Sequence, residues 1–156
     1  MNGDVSITRA TVEDAEQVLA LILRAFAPVA VLYNDPALPP VTESLDDHRA
    51  CYETRVVLKA EDAGGTVVGT IQGELRPDGT CYLARLAVEP GRQGQGIARA
   101  LATAIEDVFP EAARLGLFTG RLSTASLGLY ASLGYRETRR EYVDDRLTLV
   151  WLEKVR

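Results

Sequence analysis

An apolar strand that ends in a glycine-bearing turn and runs straight into a helix constrains this chain more than any other segment. The strand ends at Val88, and residues 93–98 lead into the helix. The first amide N–H groups of a helix have no partner within it, and the helix dipole makes that end positive. Gly94 and Gly96 carry no Cβ, so the backbone can turn tightly and let a phosphate approach. The junction therefore predicts an anion site formed by Gln93, Gly94, Gln95, Gly96, Ile97, Ala98 and Arg99.

Two well-known phosphate-binding patterns do not fit this junction. A dinucleotide-binding turn needs a third glycine and an acidic residue about 20 positions further on. The lysine of a P-loop is also missing, because no Gly-Lys-Ser or Gly-Lys-Thr occurs in the chain. A glycine pair alone is equally typical of a tight strand-to-helix turn that binds nothing, so that alternative stays open at this point.

Two ordered signatures resemble those of the GNAT superfamily of N-acetyltransferases. Gln93, Gly96 and Ala98 fill the Q/R-x-x-G-x-G/A pattern of that family's acetyl-CoA loop, and residues 130–135, Tyr-Ala-Ser-Leu-Gly-Tyr, are similar to its second signature. The resemblance covers nearly the whole chain. It implies an enzyme that moves an acetyl group from acetyl-CoA to a primary amine by direct transfer in a ternary complex, with acetyl-CoA as co-substrate and no metal.

The resemblance also implies roles for individual residues. A bulge in the family's fourth strand frees main-chain N–H groups for the thioester, and this role is carried to Leu86, Ala87 and Val88. Tyr130 takes the position of the general acid, since a phenol is protonated at neutral pH and can give a proton to a thiolate. Ser123 and Ser126 replace an asparagine and an alanine of the family; their hydroxyls reach less far but can still bond the cofactor.

The residue that takes the proton from the amine is less clear from the sequence. Glu74 lies on a polar strand face that leads towards the acetyl-CoA strand, and we take it as the candidate base. Tyr82, Glu89 and His48 are alternatives, and a water chain could serve instead. The acceptor is expected to enter past residues 28–53, where the side chains that could meet a cation are Tyr33, Asp35, Glu43, Asp46 and Asp47.

Hydrophobic periodicity and turn residues predict the element order βααβββαβαββ in one domain over residues 1–156. This is a GNAT-like α/β sandwich, with a mixed and mostly antiparallel sheet of about seven strands and about four flanking helices. Thr11 begins a capping box, and a second helix is expected from about Ser44 to Glu53. Prolines between Pro28 and Pro40 predict an irregular segment.

Composition argues against nucleic-acid binding, a cysteine metal site and a membrane partner. A net charge of −5 argues against a nucleic-acid surface, and Cys51 and Cys81 lack metal-ligand spacing. No secretory signal and no stretch of about 20 apolar residues is evident, which predicts a cytoplasmic protein without a membrane partner. The sequence leaves the oligomeric state open, a homodimer included. The alternatives to an enzyme are a non-catalytic acyl-CoA-binding or regulatory module and a nucleotide-binding protein.

Overall fold

The computed structural model describes residues 5–156 and contains one seven-stranded sheet with helices on both faces. The strands lie in the order β1-β2-β3-β4-β5-β7-β6. They are β1 (Ser6–Arg9), β2 (Val56–Glu61), β3 (Val67–Leu75), β4 (Thr80–Val88), β5 (Arg114–Gly120), β6 (Arg136–Asp144) and β7 (Leu147–Val155). The helices are α1 (Ala15–Leu32), α2 (Pro39–Thr42), α3 (Leu45–Thr54), α4 (Ile97–Val108) and α5 (Thr124–Ser132). The predicted mixed sheet and element order are confirmed, with α2 as an additional short helix.

The sheet opens in its centre, between β4 and β5. These strands are parallel and pair over three positions, from Thr80 with Arg114 to Tyr82 with Gly116. Beyond Tyr82 no further pairing joins them in the described part of the chain, although β4 continues to Val88 and β5 to Gly120. The other neighbouring strands pair antiparallel. The main chain on facing edges of β4 and β5 is therefore available to a ligand that enters between them.

The two faces of the sheet are covered unequally. Helix α4 buries Ile97, Leu101 and Ile105 on one face, where a Cβ on Gly69 would lie 2.8 Å from a methyl of Leu101. Helix α1 buries Val18, Leu21 and Ile22 on the opposite face, together with Val57 and Ala87. Phe118 of β5 lies on the same face as α1, by the alternation of side chains, and it is 53% exposed. The α1 face thus has a covered half at β1–β4 and an open half at β5–β7.

Prolines shape the segment before α3 differently from the prediction. Helix α1 continues through Pro28 to Leu32, so the expected irregular segment begins later. Pro28 lacks an N–H and so removes one helical hydrogen bond. The helical turn that follows it is retained, because Tyr33 N–H donates to the Val29 carbonyl at 3.1 Å. Pro39 and Pro40 form the first positions of α2, where a missing N–H costs no helical bond.

Helix α1 contradicts the expectation that the chain has no stretch of about 20 apolar residues. Together with the preceding 3₁₀ turn, residues 12–32 are long and apolar enough to cross a membrane by length and composition alone. In the fold, Val18, Leu21 and Ile22 of this helix are buried against the sheet. The fold buries 33% of the apolar window, so packing on the core accounts for part of its apolar character.

Candidate active site

The glycine turn opens directly onto the start of α4. Gly94 and Gly96 have φ angles of 79° and 83°, a region that side chains with a Cβ rarely adopt. Gly96 is the residue that precedes the helix, and Ala100 N–H donates to its carbonyl at 3.0 Å. Apart from the adjacent residues in the chain, no atom of the described residues lies within 4 Å of the place where a Cβ would stand on either glycine. The turn therefore leaves the first amides of a 12-residue helix approachable from solvent.

The polar side chains around this turn are partly engaged. Arg92 Nε donates to Gln95 Oε1 at 2.8 Å, and Arg99 Nη2 donates to Ser132 Oγ at 2.7 Å, which ties α4 to α5. Gln93 and Arg99 are exposed, and Ala98 is half-buried where the helix meets the fold. The structure thus brings all the predicted loop residues to one helix start.

A β-bulge interrupts β4 beside the opening in the sheet. Thr70 pairs with Ala87 and Gln72 pairs with Ala84, so two β4 residues, Arg85 and Leu86, face the single residue between them on β3. Arg85 has a φ of 56°, which is unusual for a residue with a side chain. The bulge implied by the family resemblance is present, and Leu86 lies in it. Sequence reasoning missed Arg85, because no local signal marks an arginine as the residue that adopts positive φ.

The Arg85 side chain reaches a buried polar cluster beneath α3. Its Nε lies 3.8 Å from Glu43 Oε1, and His48 Nδ1 lies 3.8 Å from the same oxygen. His48 is fully buried, and its Nε2 is 3.0 Å from the Tyr52 hydroxyl. Burial lowers the pKa of His48, nearby Arg85 lowers it further, and Glu43 opposes both effects. A neutral imidazole in the core suits a structural link between α3 and the bulge better than a base exposed to substrate.

Tyr130 projects from α5 into the core. It is 4% exposed, and its ring centroid lies 5.2 Å from that of Tyr135 in an edge-to-face arrangement. Burial and the charge of Glu106 raise the pKa of Tyr130 above its usual value. The phenol therefore stays protonated at neutral pH, as an acid requires.

The two serines predicted near the cofactor have different surroundings. Ser123 Oγ lies 2.9 Å from the Tyr33 hydroxyl, which also accepts a hydrogen bond from Leu122 N–H at 3.0 Å. Ser126 is half-buried, one helical turn before Tyr130. The Ser123 hydroxyl is thus already engaged by the end of α1, a contact that the sequence did not reveal.

A groove of about 330 Å³ lies on the α1 face where β4 and β5 separate, and it extends from the end of β3 across to β7. We call it the sheet groove; its lining includes Arg55, Glu74, Arg76, Tyr82, Leu83, Ala84, Leu117, Phe118, Arg139, Trp151 and Glu153. Glu74 Oε1 lies 3.2 Å from Arg55 Nε, and Glu74 Oε2 lies 3.4 Å from Arg76 Nε. The candidate base Glu74 and the alternative Tyr82 therefore share this groove, opposite one another on β3 and β4.

The residues expected to meet a cation are not brought together. Asp46 has a 96% exposed side chain, and Asp35 lies 3.8 Å from Arg146 of the β6–β7 turn. Tyr33 is buried, whereas Glu43 alone reaches the bulge. The sequence missed the groove arginines, Phe118 and Trp151, because their shared face follows from strand register, which the isolated strands do not specify.

Comparisons with known proteins identify the family of this chain. The sequence model of the acetyltransferase (GNAT) family matches residues 18–135. The chain belongs to this family. N-acetyltransferase 8 of Mus musculus is 33% identical over 101 residues, which are 60% of this chain and 43% of that protein. The chain thus matches less than half the length of this curated relative.

Solved structures of other GNAT proteins share the fold. The ribosomal-protein-S18-alanine N-acetyltransferase of Escherichia coli has a TM-score of 0.80 at 20% identity, over 97% of this chain and 93% of that one. PaiA N-acetyltransferase of Thermoplasma acidophilum, solved with coenzyme A, has 0.79 at 16% identity, over 97% and 99%. YncA of Salmonella typhimurium, solved with acetyl-CoA, has 0.78 at 22% identity, over 98% and 94%. At sequence identities this low, the structural similarity establishes that these proteins share one fold.

Proposed function

We propose that this GNAT chain transfers the acetyl group of acetyl-CoA directly to a primary amine while both substrates are bound. The observation that carries the proposal is that the glycine turn of α4, the bulge of β4 and the opening between β4 and β5 lie in succession along one strand-turn-helix segment. Structural neighbours solved with coenzyme A and acetyl-CoA support the choice of co-substrate.

In this proposal the glycine turn binds the pyrophosphate of acetyl-CoA, and the bulge lies beside its thioester. The pyrophosphate of acetyl-CoA accepts hydrogen bonds from the amides of residues 93–99, where the helix dipole favours negative charge. The pantetheine enters the opening, and the thioester lies beside Leu86, Ala87 and Val88. Main-chain N–H groups there stabilise the oxyanion that forms when the amine attacks the thioester carbon.

Proton transfers complete the reaction. The amine nitrogen forms a bond to the thioester carbon, the C–S bond breaks, and Tyr130 donates its proton to the departing thiolate. Glu74 is the proposed proton acceptor for the amine, directly or through water from the sheet groove. Ser123 and Ser126 are proposed to contact the cofactor beside Tyr130, after Ser123 exchanges its bond to Tyr33. No metal takes part in this scheme.

Release of free CoA thiol tests the proposal. We expect acetyl-CoA with a panel of primary amines to release thiol and acetylated amine in equal amounts. Binding of CoA without any turnover would instead favour a non-catalytic CoA-binding module. Displacement of CoA by ATP at similar concentration would favour a nucleotide-binding protein.

A further inference from the structure

We infer that the acceptor is a small amine that carries a carboxylate and an aromatic or large apolar group, and that it binds in the sheet groove. An α-amino acid with an aromatic side chain has this chemistry. The inference rests on the proposed acetyl transfer and assigns its acceptor from the side chains that line the groove.

The position of the groove suits an acceptor. Leu83 and Ala84 of β4 and Leu117 and Phe118 of β5 line it, and these residues follow the last pair that joins the two strands. Ala84 directly precedes the bulge at Arg85. An amine at this end of the groove therefore lies beside the main chain that would hold the thioester, which is the geometry that direct attack requires.

The charge of the lining favours an anion. Three arginines and two glutamates line the groove, a positive balance in a chain whose net charge is −5. Arg55 is held in place, because its Nε lies 3.2 Å from Glu74 Oε1 and its Nη1 donates to Gln72 Oε1 at 2.9 Å. A guanidinium has five N–H donors, so these contacts leave donors for a carboxylate. Glu74 thereby has a second use, as the group that positions Arg55 and Arg76.

A buried amide behind the groove holds Arg55. Gln72 is 1% exposed, and its Nε2 has no hydrogen-bond partner among the described residues. It lies opposite Ala84, on the same face of the sheet as Glu74 and Tyr82. Gln72 does not itself line the groove; it contributes through its Oε1, which accepts the 2.9 Å hydrogen bond from Arg55 Nη1 and so fixes the guanidinium that does.

Aromatic rings supply the apolar part of the site. Phe118 is 53% exposed, and its ring centroid lies 4.9 Å from that of Trp151. The Arg139 guanidinium stacks 4.3 Å from the Trp151 centroid, and that of Arg76 lies 5.1 Å from the Tyr82 centroid. Such surfaces bind flat or apolar groups, and the net positive charge of the lining disfavours a polyamine.

Acceptors that differ in one group test the inference with the unaltered protein. Phenylalanine, phenylalaninamide and phenethylamine share the ring and the amine, but only the first carries a carboxylate. We expect kcat/KM for phenylalanine to exceed that of the other two by roughly tenfold or more, the size of a charge-assisted hydrogen bond. Equal or better use of the amide, of phenethylamine or of spermidine would overturn the inference.

A matched pair of arginine variants locates the contact. Arg76 and Arg140 each have a 50% exposed side chain and a glutamate partner, but Arg140 is on edge strand β6, outside the groove lining. Arg76→Gln should raise KM for phenylalanine several-fold more than KM for phenethylamine, and leave KM for acetyl-CoA unchanged. Arg140→Gln should change none of these. Equal effects of the two variants would remove the carboxylate contact from the groove.

These outcomes separate the acceptor class from the proposed function. Thiol release with uncharged or cationic amines, but not with phenylalanine, would overturn only the acceptor class. Absence of turnover with every amine would overturn the acetyl transfer. In that case phenylalanine is titrated into the CoA-loaded protein and into the CoA-loaded Arg76→Gln variant. Saturable binding that the variant weakens supports the carboxylate contact in the groove. Absence of binding overturns it.

Discussion

At the scale of single residues, Arg85 connects two features that lie far apart in the sequence. Its backbone, with φ at 56°, forms the bulge of β4, and its side chain contacts Glu43 before α3. A positive φ costs a residue with a Cβ about 1–2 kcal/mol, so the surrounding contacts must over-determine the conformation. Glu43 provides such a contact at 3.8 Å from Arg85 Nε, and His48 Nδ1 lies 3.8 Å from the same Glu43 oxygen. The bulge is thus held by a side chain that leaves the sheet.

Tyr130 provides the most direct prediction at this scale. Tyr130→Phe keeps the ring that packs on Tyr135 and removes the hydroxyl, so stability and CoA affinity should change little. If the phenol protonates the thiolate, kcat should fall by about 10²–10⁴-fold, the usual contribution of a general acid. Steady-state kinetics with a good acceptor and calorimetry with CoA measure the two effects. A variant with near-parental kcat would return Tyr130 to a packing role.

His48 predicts a pH dependence of stability. Its pKa is lowered by burial in the fold, so the unfolded state, with a pKa of about 6.5, takes up the proton first as the pH falls. The contribution of neutral His48 to the stability of the fold is therefore complete above about pH 6.5 and is lost as the pH falls towards the folded-state pKa. Since His48 is the one histidine of the chain, a single imidazole signal in proton NMR reports its titration.

The matched control for that prediction is His48→Gln. Its free energy of unfolding, measured in urea, should vary less between about pH 7 and pH 5.5 than that of the parent. A histidine signal that titrates at or above about 6.5 would contradict the buried, neutral imidazole.

At the scale of elements, the end of α1 is fastened to the far side of the sheet opening. The Tyr33 hydroxyl contacts Ser123 and Leu122 just before α5, and its ring fills the space above Gly120 at the end of β5. A Cβ on Gly120 would overlap the Tyr33 hydroxyl and ring. Three elements therefore meet at a position that tolerates no side chain in β5.

Replacement of Gly120 tests this junction. Gly120→Ala should lower the free energy of unfolding by about 1–3 kcal/mol, because Tyr33 must move and give up its bonds. Gly128→Ala is the control, since the space around Gly128 in α5 is open; it should be neutral or stabilising. In a Tyr33→Ala background Gly120→Ala should cost little. An undiminished cost there would place the strain elsewhere in β5.

At the scale of the whole molecule, local signals were predictable and register-dependent ones were not. The capping box of Thr11 and Asp14, the helix that begins near Ser44 and the turn at Gly96 all depend on neighbouring residues, and the structure contains each of them. The bulge at Arg85 and the sheet groove depend on which strands pair and where pairing stops. Trp151 and Arg76 meet one groove from strands far apart in sequence, so isolated patterns could not group them.

Binding of CoA should stabilise the whole fold, because the unfolded chain has no helix start to offer it. At free CoA near 100 times the parent Kd, the free energy of unfolding should rise by about 2.7 kcal/mol. Gly96→Val puts a branched side chain at a φ of 83° and in the path of the pyrophosphate. A tenfold weaker affinity would reduce the CoA-induced increment to about 1.4 kcal/mol at the same concentration.

The control for this last prediction lies in the same loop. Gly91 also has open space around a Cβ but lacks the positive φ of Gly96. Gly91→Val should therefore keep both the parental stability and the full CoA-induced increment. Urea titrations with and without CoA give the increment for each variant separately from its own loss of stability. If the two variants respond to CoA alike, the pyrophosphate does not bind at Gly96, and the anion site must be sought elsewhere along the opening between β4 and β5.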